Sequence, residues 1–221
     1  MVMKFTETQR KKLLTNLKNY RSTYLSKKNW ELDESATRIM INYFLTQVLG
    51  FTELEEIKTE YAIRGMYADY VIQSNRKKHF IVEVKSIALN LSEKHIRQAL
   101  GYGANEGIDW ILLTNGKQFQ LYRIIFGKPV KYSLLFDFDL SDLKEMRKSV
   151  DFFVHITKKF VEKGELEKFW NRCQALEAKK LIKILCSDEV IRLFRRVLRK
   201  ETKFTFSNQE LLDSVQKIVI K

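Results

Sequence analysis

The run Phe80-Ile81-Val82-Glu83-Val84-Lys85 sets a carboxylate and an ammonium into a stretch that is otherwise apolar and largely β-branched. Such a composition favours a buried strand, and the strand period of two turns Glu83 and Lys85 to the same face. Charges side by side near a core are costly, and they usually persist because a site needs them. One strand earlier an acidic residue, Asp69, sits in the equally apolar Ala68-Asp69-Tyr70-Val71-Ile72. Gln98 and Tyr102 follow at helical spacing, so all five polar groups fall within one short part of the chain.

The surrounding pattern predicts αβββαββ over residues 34–126. Ahead of it lies a helix with Thr6 and Gln9 at capping-box spacing and an apolar stripe of Leu13, Leu14, Leu17, Tyr20 and Tyr24. The next helix is expected from about Glu34 to Leu49. Asp33 is its N-cap, Ala36, Ile39, Met40, Tyr43, Phe44 and Val48 are its buried face, and Gly50 is its stop. Strands are expected at Glu60–Ile63, Tyr67–Gln73 and His79–Lys85, the last two joined by a turn at Ser74-Asn75-Arg76-Lys77. Ser92 caps a helix reaching about Asn105. Trp110–Thr114 reads as a buried strand, and Asn115-Gly116 makes a hairpin into Gln118–Ile125. From Asp137 the pattern is helical to the end, with breaks near Gly164, Cys186-Ser187 and 203–207. Two parts are therefore expected: 1–140, and a helical C-terminal extension, 141–221. Because Pro129 is the only proline and no linker-like tract intervenes, the extension is expected to pack on the core.

Forty Lys and Arg against 27 Asp and Glu give a net charge of +13, which favours a polyanionic partner. Cys173 and Cys186 are too few for a disulfide framework and read as reduced core residues; no CxxC pair offers zinc a site. His79, His95 and His155 lack zinc spacing and read as surface or boundary residues. Gly116-Lys117 and Gly127-Lys128 do not end a GxxxxGK[ST] loop, so neither an NTPase motor nor a nucleotide cofactor is expected. The polar Met1–Lys12 start has no apolar h-region and no run approaches a membrane span, so a soluble, cytoplasmic chain is expected.

The order of these elements resembles the PD-(D/E)XK nuclease superfamily: a helix bearing Glu34, a strand with Asp69, a strand with Glu83-x-Lys85, and a helix with Gln98-x-x-x-Tyr102. Glu34-Ser35-Ala36-Thr37-Arg38 followed by Leu49-Gly50-Phe51 is similar to the N-terminal domain of type I restriction endonuclease R subunits, over roughly residues 30–140. Ala68 stands where the motif has proline, a position that holds no metal. The resemblance implies an α/β fold with a restriction-endonuclease-like core, a central mixed sheet flanked by helices. It also implies a Mg²⁺-dependent DNA endonuclease, Mn²⁺ substituting, of the restriction or defence type. The metal set implied is Asp69, Glu83 and the Val84 carbonyl. Lys85 is implied beside the attacking water, with Gln98 orienting water or ligands, Tyr102 contacting phosphate and Glu34 near the metal.

Each residue also has a plainer reading. Glu83 and Lys85 by themselves fit a surface ion pair, Glu34 fits the helix dipole, and Gln98 and Tyr102 fit an amphipathic helix. Arg192, Arg195, Arg196 and Arg199 share one helix face in the extension; a solvated basic face is the default there, and a nucleic-acid-binding phosphate stripe is the alternative. Type I R subunits couple the nuclease to a translocase, so this chain reads as a free-standing nuclease, part of a split system, or a fragment. Its partners are DNA and motor or modification subunits of such a system. A catalytically inert nucleic-acid-binding module and a partner-dependent subunit are the alternative functions. Two carboxylates converging on one ion further predict that repulsion between Asp69 and Glu83 destabilises the metal-free protein.

Overall fold

The computed structural model describes residues 5–63 and 66–219 of the chain, and the first four residues of the Met1–Lys12 segment lie outside the described residues. Helices α1 (Glu7–Tyr24) and α2 (Glu34–Tyr43) precede strands β1 (Ile57–Ile63), β2 (Met66–Ser74) and β3 (Lys77–Val84). After them come α3 (Glu93–Glu106), β4 (Trp110–Thr114), β5 (Gln118–Ile125), β6 (Lys131–Asp139) and α4 (Leu143–Phe153). The six strands form one sheet in sequence order. Four neighbouring pairs are antiparallel, and β3 runs parallel to β4 from Ile81↔Ile111 to Val84↔Thr114. A parallel pair requires a crossover, which α3 supplies. The fold is therefore α/β: a mixed sheet flanked by helices, consistent with a restriction-endonuclease-like core.

Alternation along the strands loads both faces of the sheet. Val71, Ile81, Ile111, Leu113 and Ile124 pack with Ile96, Ala99 and Tyr102 of α3. The opposite face is aromatic: Phe119 stacks at 4.4 Å on Phe44 and contacts Tyr20 and Phe153, so rings from α1, the turn after α2, and α4 meet over β5. Tyr20 is fully buried, and its hydroxyl donates to the Gly116 carbonyl at 2.6 Å. The capping box of Thr6 and Gln9 is present, and Asp33 caps α2 by accepting from the Ala36 amide at 2.8 Å.

Three local expectations need correction. The second helix ends its α-helical part at Tyr43 and continues as a π-helical turn, Phe44–Val48. Its buried residues are Thr37, Met40, Ile41, Phe44, Leu45 and Val48, whereas Ile39 is 67% exposed, so the buried stripe is rotated from the expected one. Next, a strand, β6, occupies residues 131–139. Leu121 faces Phe136 while Tyr122 faces Leu134, so Leu135 is a bulge that breaks the alternation by which a strand is recognised. Finally, His79 is buried and its Nε2 lies 2.8 Å from the Ser74 hydroxyl, while Cys173 and Cys186 are free and only half-buried.

The chain divides into two compact units, through Leu166 and from Glu167 onward. The first extends past the change of pattern near residue 140, because α4 docks by aromatic contacts, Phe152 on Phe138 at 5.0 Å and Phe153 on Phe136 at 5.3 Å. It also holds the short α5 (Lys158–Val161). Helix α6 (Glu165–Ala175) spans the boundary in sequence; α7 (Ala178–Leu185), α8 (Asp188–Thr202) and α9 (Asn208–Val219) make up the rest of the second unit, within which α8 packs on α9. Among the described residues no helix is long and apolar enough to cross a membrane.

Gly103 lets α3 sit this close to the sheet. A Cβ there would lie 2.8 Å from the Ile108 carbonyl oxygen and 2.2 Å from Ile124 Cδ1. Gly103→Ala is expected to destabilise the protein by about 2 kcal/mol, a melting loss of roughly 4–8 °C. Thermal denaturation monitored by circular dichroism measures it, and an unchanged melting temperature would show that α3 does not need this close approach.

Candidate active site

The β2–β3 register brings the two acidic residues together. Tyr70 pairs with Val82 and Val71 with Ile81, and one further step puts Asp69 beside Glu83 on the α3 face of the sheet. There the side chain of Asp69 takes over from the backbone ladder: its Oδ2 accepts from the Val84 amide at 2.8 Å. The Lys85 amide donates the other way, to the Thr114 carbonyl at 2.8 Å. Because N–H and C=O of one strand residue project to the same edge, the Val84 carbonyl faces the Asp69 side. Lys85 Nζ donates to Glu83 Oε1 at 2.6 Å.

Helix α2 is tied over this edge. Ser86 Oγ donates to the Leu32 carbonyl at 2.8 Å and the Ile87 amide to Thr37 Oγ1 at 3.1 Å, linking the loop after β3 to the start of α2. Glu34 in the first turn thereby comes within 3.8 Å of Lys85 Nζ. One turn on, Arg38 pairs directly with Asp69 Oδ1 and lies 3.3 Å from Glu34 and 3.8 Å from Glu60. The Tyr70 hydroxyl holds the Arg38 carbonyl at 2.9 Å.

Arg38 and Glu60 join the cleft beyond the residues expected there. The i, i+4 spacing of Glu34 and Arg38 was the available signal for the first. Nothing in the sequence marks Glu60, which sits between the pairs Thr59↔Tyr70 and Tyr61↔Ala68 with φ +46, a left-handed conformation costing a non-glycine residue on the order of 1 kcal/mol.

Glu34, Asp69, Glu83, Lys85 and Gln98 line one cleft of about 300 Å³, together with Arg38 and Glu60. Tyr102 stands behind it, 2% exposed in the α3 core, and its hydroxyl accepts from Gln98 Nε2 at 2.9 Å. Arg192, Arg195, Arg196 and Arg199 belong to the second unit and line a groove of their own.

The charges are unequally compensated. Asp69 has an amide donor on one oxygen and a guanidinium on the other, so the expected repulsion with Glu83 does not leave it uncompensated. Glu83 is 1% exposed, and its Oε2 is buried with no hydrogen-bond partner. Burial pushes its carboxyl up to about 7 against the opposing effect of Lys85. Burial pulls the Lys85 ammonium down, but the hydrogen bond and charge of Glu83, with Glu34 and Asp69, outweigh it and hold it above its ordinary value. Lys85 is therefore a cation here and a donor, with no free pair for a proton. Among the described residues no three His, Cys, Asp or Glu side chains converge as a metal cluster. Two adjacent carboxylates, a carbonyl on the same side and a buried carboxylate oxygen without a donor do suit a hard cation that keeps several waters.

Glu83 ties stability to pH. Its carboxyl holds a proton in the folded chain up to about pH 7, well above its ordinary value of 4.5, so folding binds protons between those limits. Stability is then lost as pH rises through that window. In EDTA, the melting temperature of wild type relative to Glu83→Gln is expected to fall by a few degrees from pH 5 to pH 8. A pH-independent difference would remove Glu83 as the buried charge.

No curated protein and no solved structure matches the chain. Residues 33–137, which carry Glu34, Asp69, Glu83, Lys85, Gln98 and Tyr102, match the family described as type I restriction enzyme R protein N terminus, and this segment is similar to the nuclease-like domain of restriction systems.

Proposed function

We propose that the chain is a Mg²⁺-dependent endonuclease that hydrolyses DNA phosphodiester bonds within a restriction or defence system, with Mn²⁺ substituting. The observation that carries this reading is the buried, unpartnered Oε2 of Glu83 beside Asp69, with the Lys85 ammonium 2.6 Å from the other Glu83 oxygen. Asp69, Glu83 and the Val84 carbonyl are the residues that would hold the metal, the remaining positions falling to water and phosphate oxygens. Bound there, the ion supplies Lewis-acid polarisation of the phosphate and a more acidic water.

The protein groups do the rest. Lys85, cationic and anchored by Glu83, orients the attacking water and stabilises charge accumulating on the phosphoryl oxygens. Glu34 holds the Lys85 and Arg38 cations on the α2 side of the cleft. Gln98 faces the cleft and positions water, while Tyr102 fixes the Gln98 amide from behind, a support in place of direct phosphate contact. Arg38 pairs with Asp69, and were Asp69 to serve the metal, the Arg38 guanidinium would be available to a phosphate oxygen. That Asp69–Arg38 pair also favours a second reading, a partner-dependent subunit in which docking of a motor or modification subunit moves α2 and releases Asp69.

Incubation with supercoiled, linear and single-stranded DNA in Mg²⁺, Mn²⁺ or EDTA tests the proposal. Cleavage is expected only with metal, and Asp69→Asn, Glu83→Gln and Lys85→Ala are each expected to abolish it with similar, non-additive losses. Wild-type cleavage by Glu83→Gln would sink the assignment; an inert but metal-binding wild type would select the partner-dependent reading. Binding has its own readout. At a ten-fold excess of Mg²⁺ over its dissociation constant, RT ln(1 + 10) gives about 1.4 kcal/mol, a rise of roughly 3–5 °C that Asp69→Asn should lack.

Arg38→Met separates competition from catalysis. Removing the guanidinium from Asp69 is expected to tighten Mg²⁺ binding in calorimetry while slowing cleavage about ten-fold or more, the effect of losing a charged transition-state contact. Weaker Mg²⁺ binding in Arg38→Met would mean that Arg38 organises Asp69 for the ion and does not compete with it.

A further inference from the structure

The second unit carries a feature that the cleavage chemistry does not use. Residues 167–221 hold thirteen Lys and Arg against seven Asp and Glu. Within α8, Arg192, Arg195, Arg196 and Arg199 recur at i, i+3, i+4 and i+7, forming one exposed stripe about 10 Å long at the α-helical rise. All four line a single groove of about 630 Å³. Among the described residues none of the four guanidinium groups has a hydrogen-bond or ion-pair partner, although the carboxylate of Glu189 lines the same groove. Like charges at these spacings repel, and an ordinary solvated face relieves this with interleaved acids. Here the repulsion stands.

The ligand class follows from the donors. A guanidinium is a planar fork that grips a phosphate through two parallel hydrogen bonds, and all four positions hold arginine, whereas α7 displays Lys179, Lys180 and Lys183. A stripe of about 10 Å matches about three phosphates along one strand, at 3.4 Å of axis each. A helix lying on a membrane must offer lipid an apolar face. Part of the apolar side of α8 is engaged within the protein, Ile191 being 2% exposed and α8 packing on α9, where Leu211 is also buried; Leu193 and Val197 stay 44% and 42% exposed, so a lipid surface is the alternative that the test must separate.

We infer that the α8 groove is a second nucleic-acid contact, separate from the cleft, in which Arg192, Arg195, Arg196 and Arg199 hold the phosphodiester backbone of a duplex. Phosphate contacts of this kind carry no base information, so the contact is indifferent to sequence. It does not depend on cleavage, and therefore stands or falls apart from the nuclease assignment.

The test measures the full chain on a short labelled duplex in EDTA by fluorescence anisotropy, across a salt series. Arg192→Gln/Arg196→Gln/Arg199→Gln is compared with Lys179→Gln/Lys180→Gln/Lys183→Gln, which removes the same charge. The arginine variant is expected to flatten the slope of log K against log salt by about 2.7, at 0.9 per phosphate contact, and the lysine variant by well under one. Equal flattening in both variants, or none in the arginine variant, would overturn the inference. Should the triple variant fail to fold by circular dichroism, Arg196→Gln/Arg199→Gln decides, with an expected flattening of about 1.8. Duplex DNA and duplex RNA of one sequence form separate arms, and the tighter one identifies the source of the phosphates. Vesicles of phosphatidylserine and phosphatidylcholine form a third arm. Loss of vesicle binding in the arginine variant with an unchanged duplex slope would assign the groove to lipid and overturn the inference.

Discussion

The hydrogen bond from the Val84 amide to Asp69 Oδ2, at 2.8 Å, organises the whole cleft. At this point the side chain of Asp69 takes over from the β2–β3 backbone ladder, whose final pair toward the cleft is Tyr70↔Val82. An unpaired strand amide beside a core is costly, and a carboxylate is the strongest acceptor available to satisfy it. The same bond brings Asp69 to Glu83, leaves the Val84 carbonyl on their side, and presents Asp69 Oδ1 to Arg38. On the far edge of β3, the parallel pairing with β4 holds Val84 in register with Thr114 and keeps the strand from twisting away.

Around that bond the charges are graded. Asp69 is held on both oxygens, whereas Glu83 is deeper, pairs through one oxygen and leaves the other without a donor. A buried polar atom without a partner costs about 1–3 kcal/mol, more if charged, and packing alone has no use for it. An acceptor that lacks a donor is, however, what a cation requires. The two basic residues complete the balance: Lys85 from the same strand and Arg38 from α2 keep the acids folded in the absence of metal. Arg38 makes its pair with Asp69, so on the proposed metal-dependent reading this contact would have to give way for an ion to bind.

The two units divide the basic character of the chain. In the first, the cations at the cleft are committed to Glu34, Asp69 and Glu83. In the second, the arginines of α8 are uncommitted among the described residues and share one groove. An excess of +13 is thus not uniform surface charge; part of it is arranged where phosphate can meet it without displacing a carboxylate.

How much of this was legible in the sequence follows the range of the interactions. Apolar, largely β-branched runs marked β2, β3 and β4, the Asn115-Gly116 turn marked β5, cap chemistry marked α1 and α2, and the apolar setting of Glu83 and Lys85 marked a candidate site, because each depends on residues a few positions apart. Strand β6 escaped because the Leu135 bulge breaks its alternation, and the stripe on α2 was misjudged because burial of Ile41 and Leu45, and exposure of Ile39, depend on where the aromatic cluster lies. The sequence by itself determined which residues are candidates for the chemistry: the types, spacings and order of Asp69, Glu83, Lys85 and Gln98 mark them, through their resemblance to a nuclease motif, before any fold is known. Only the tertiary structure decided their balance. The Asp69–Arg38 pair spans 31 residues, the Gly116–Tyr20 bond spans 96, and the missing partner of Glu83 Oε2 reflects everything packed around it. Such long-range contacts are settled by how the chain closes on itself, which no local pattern encodes.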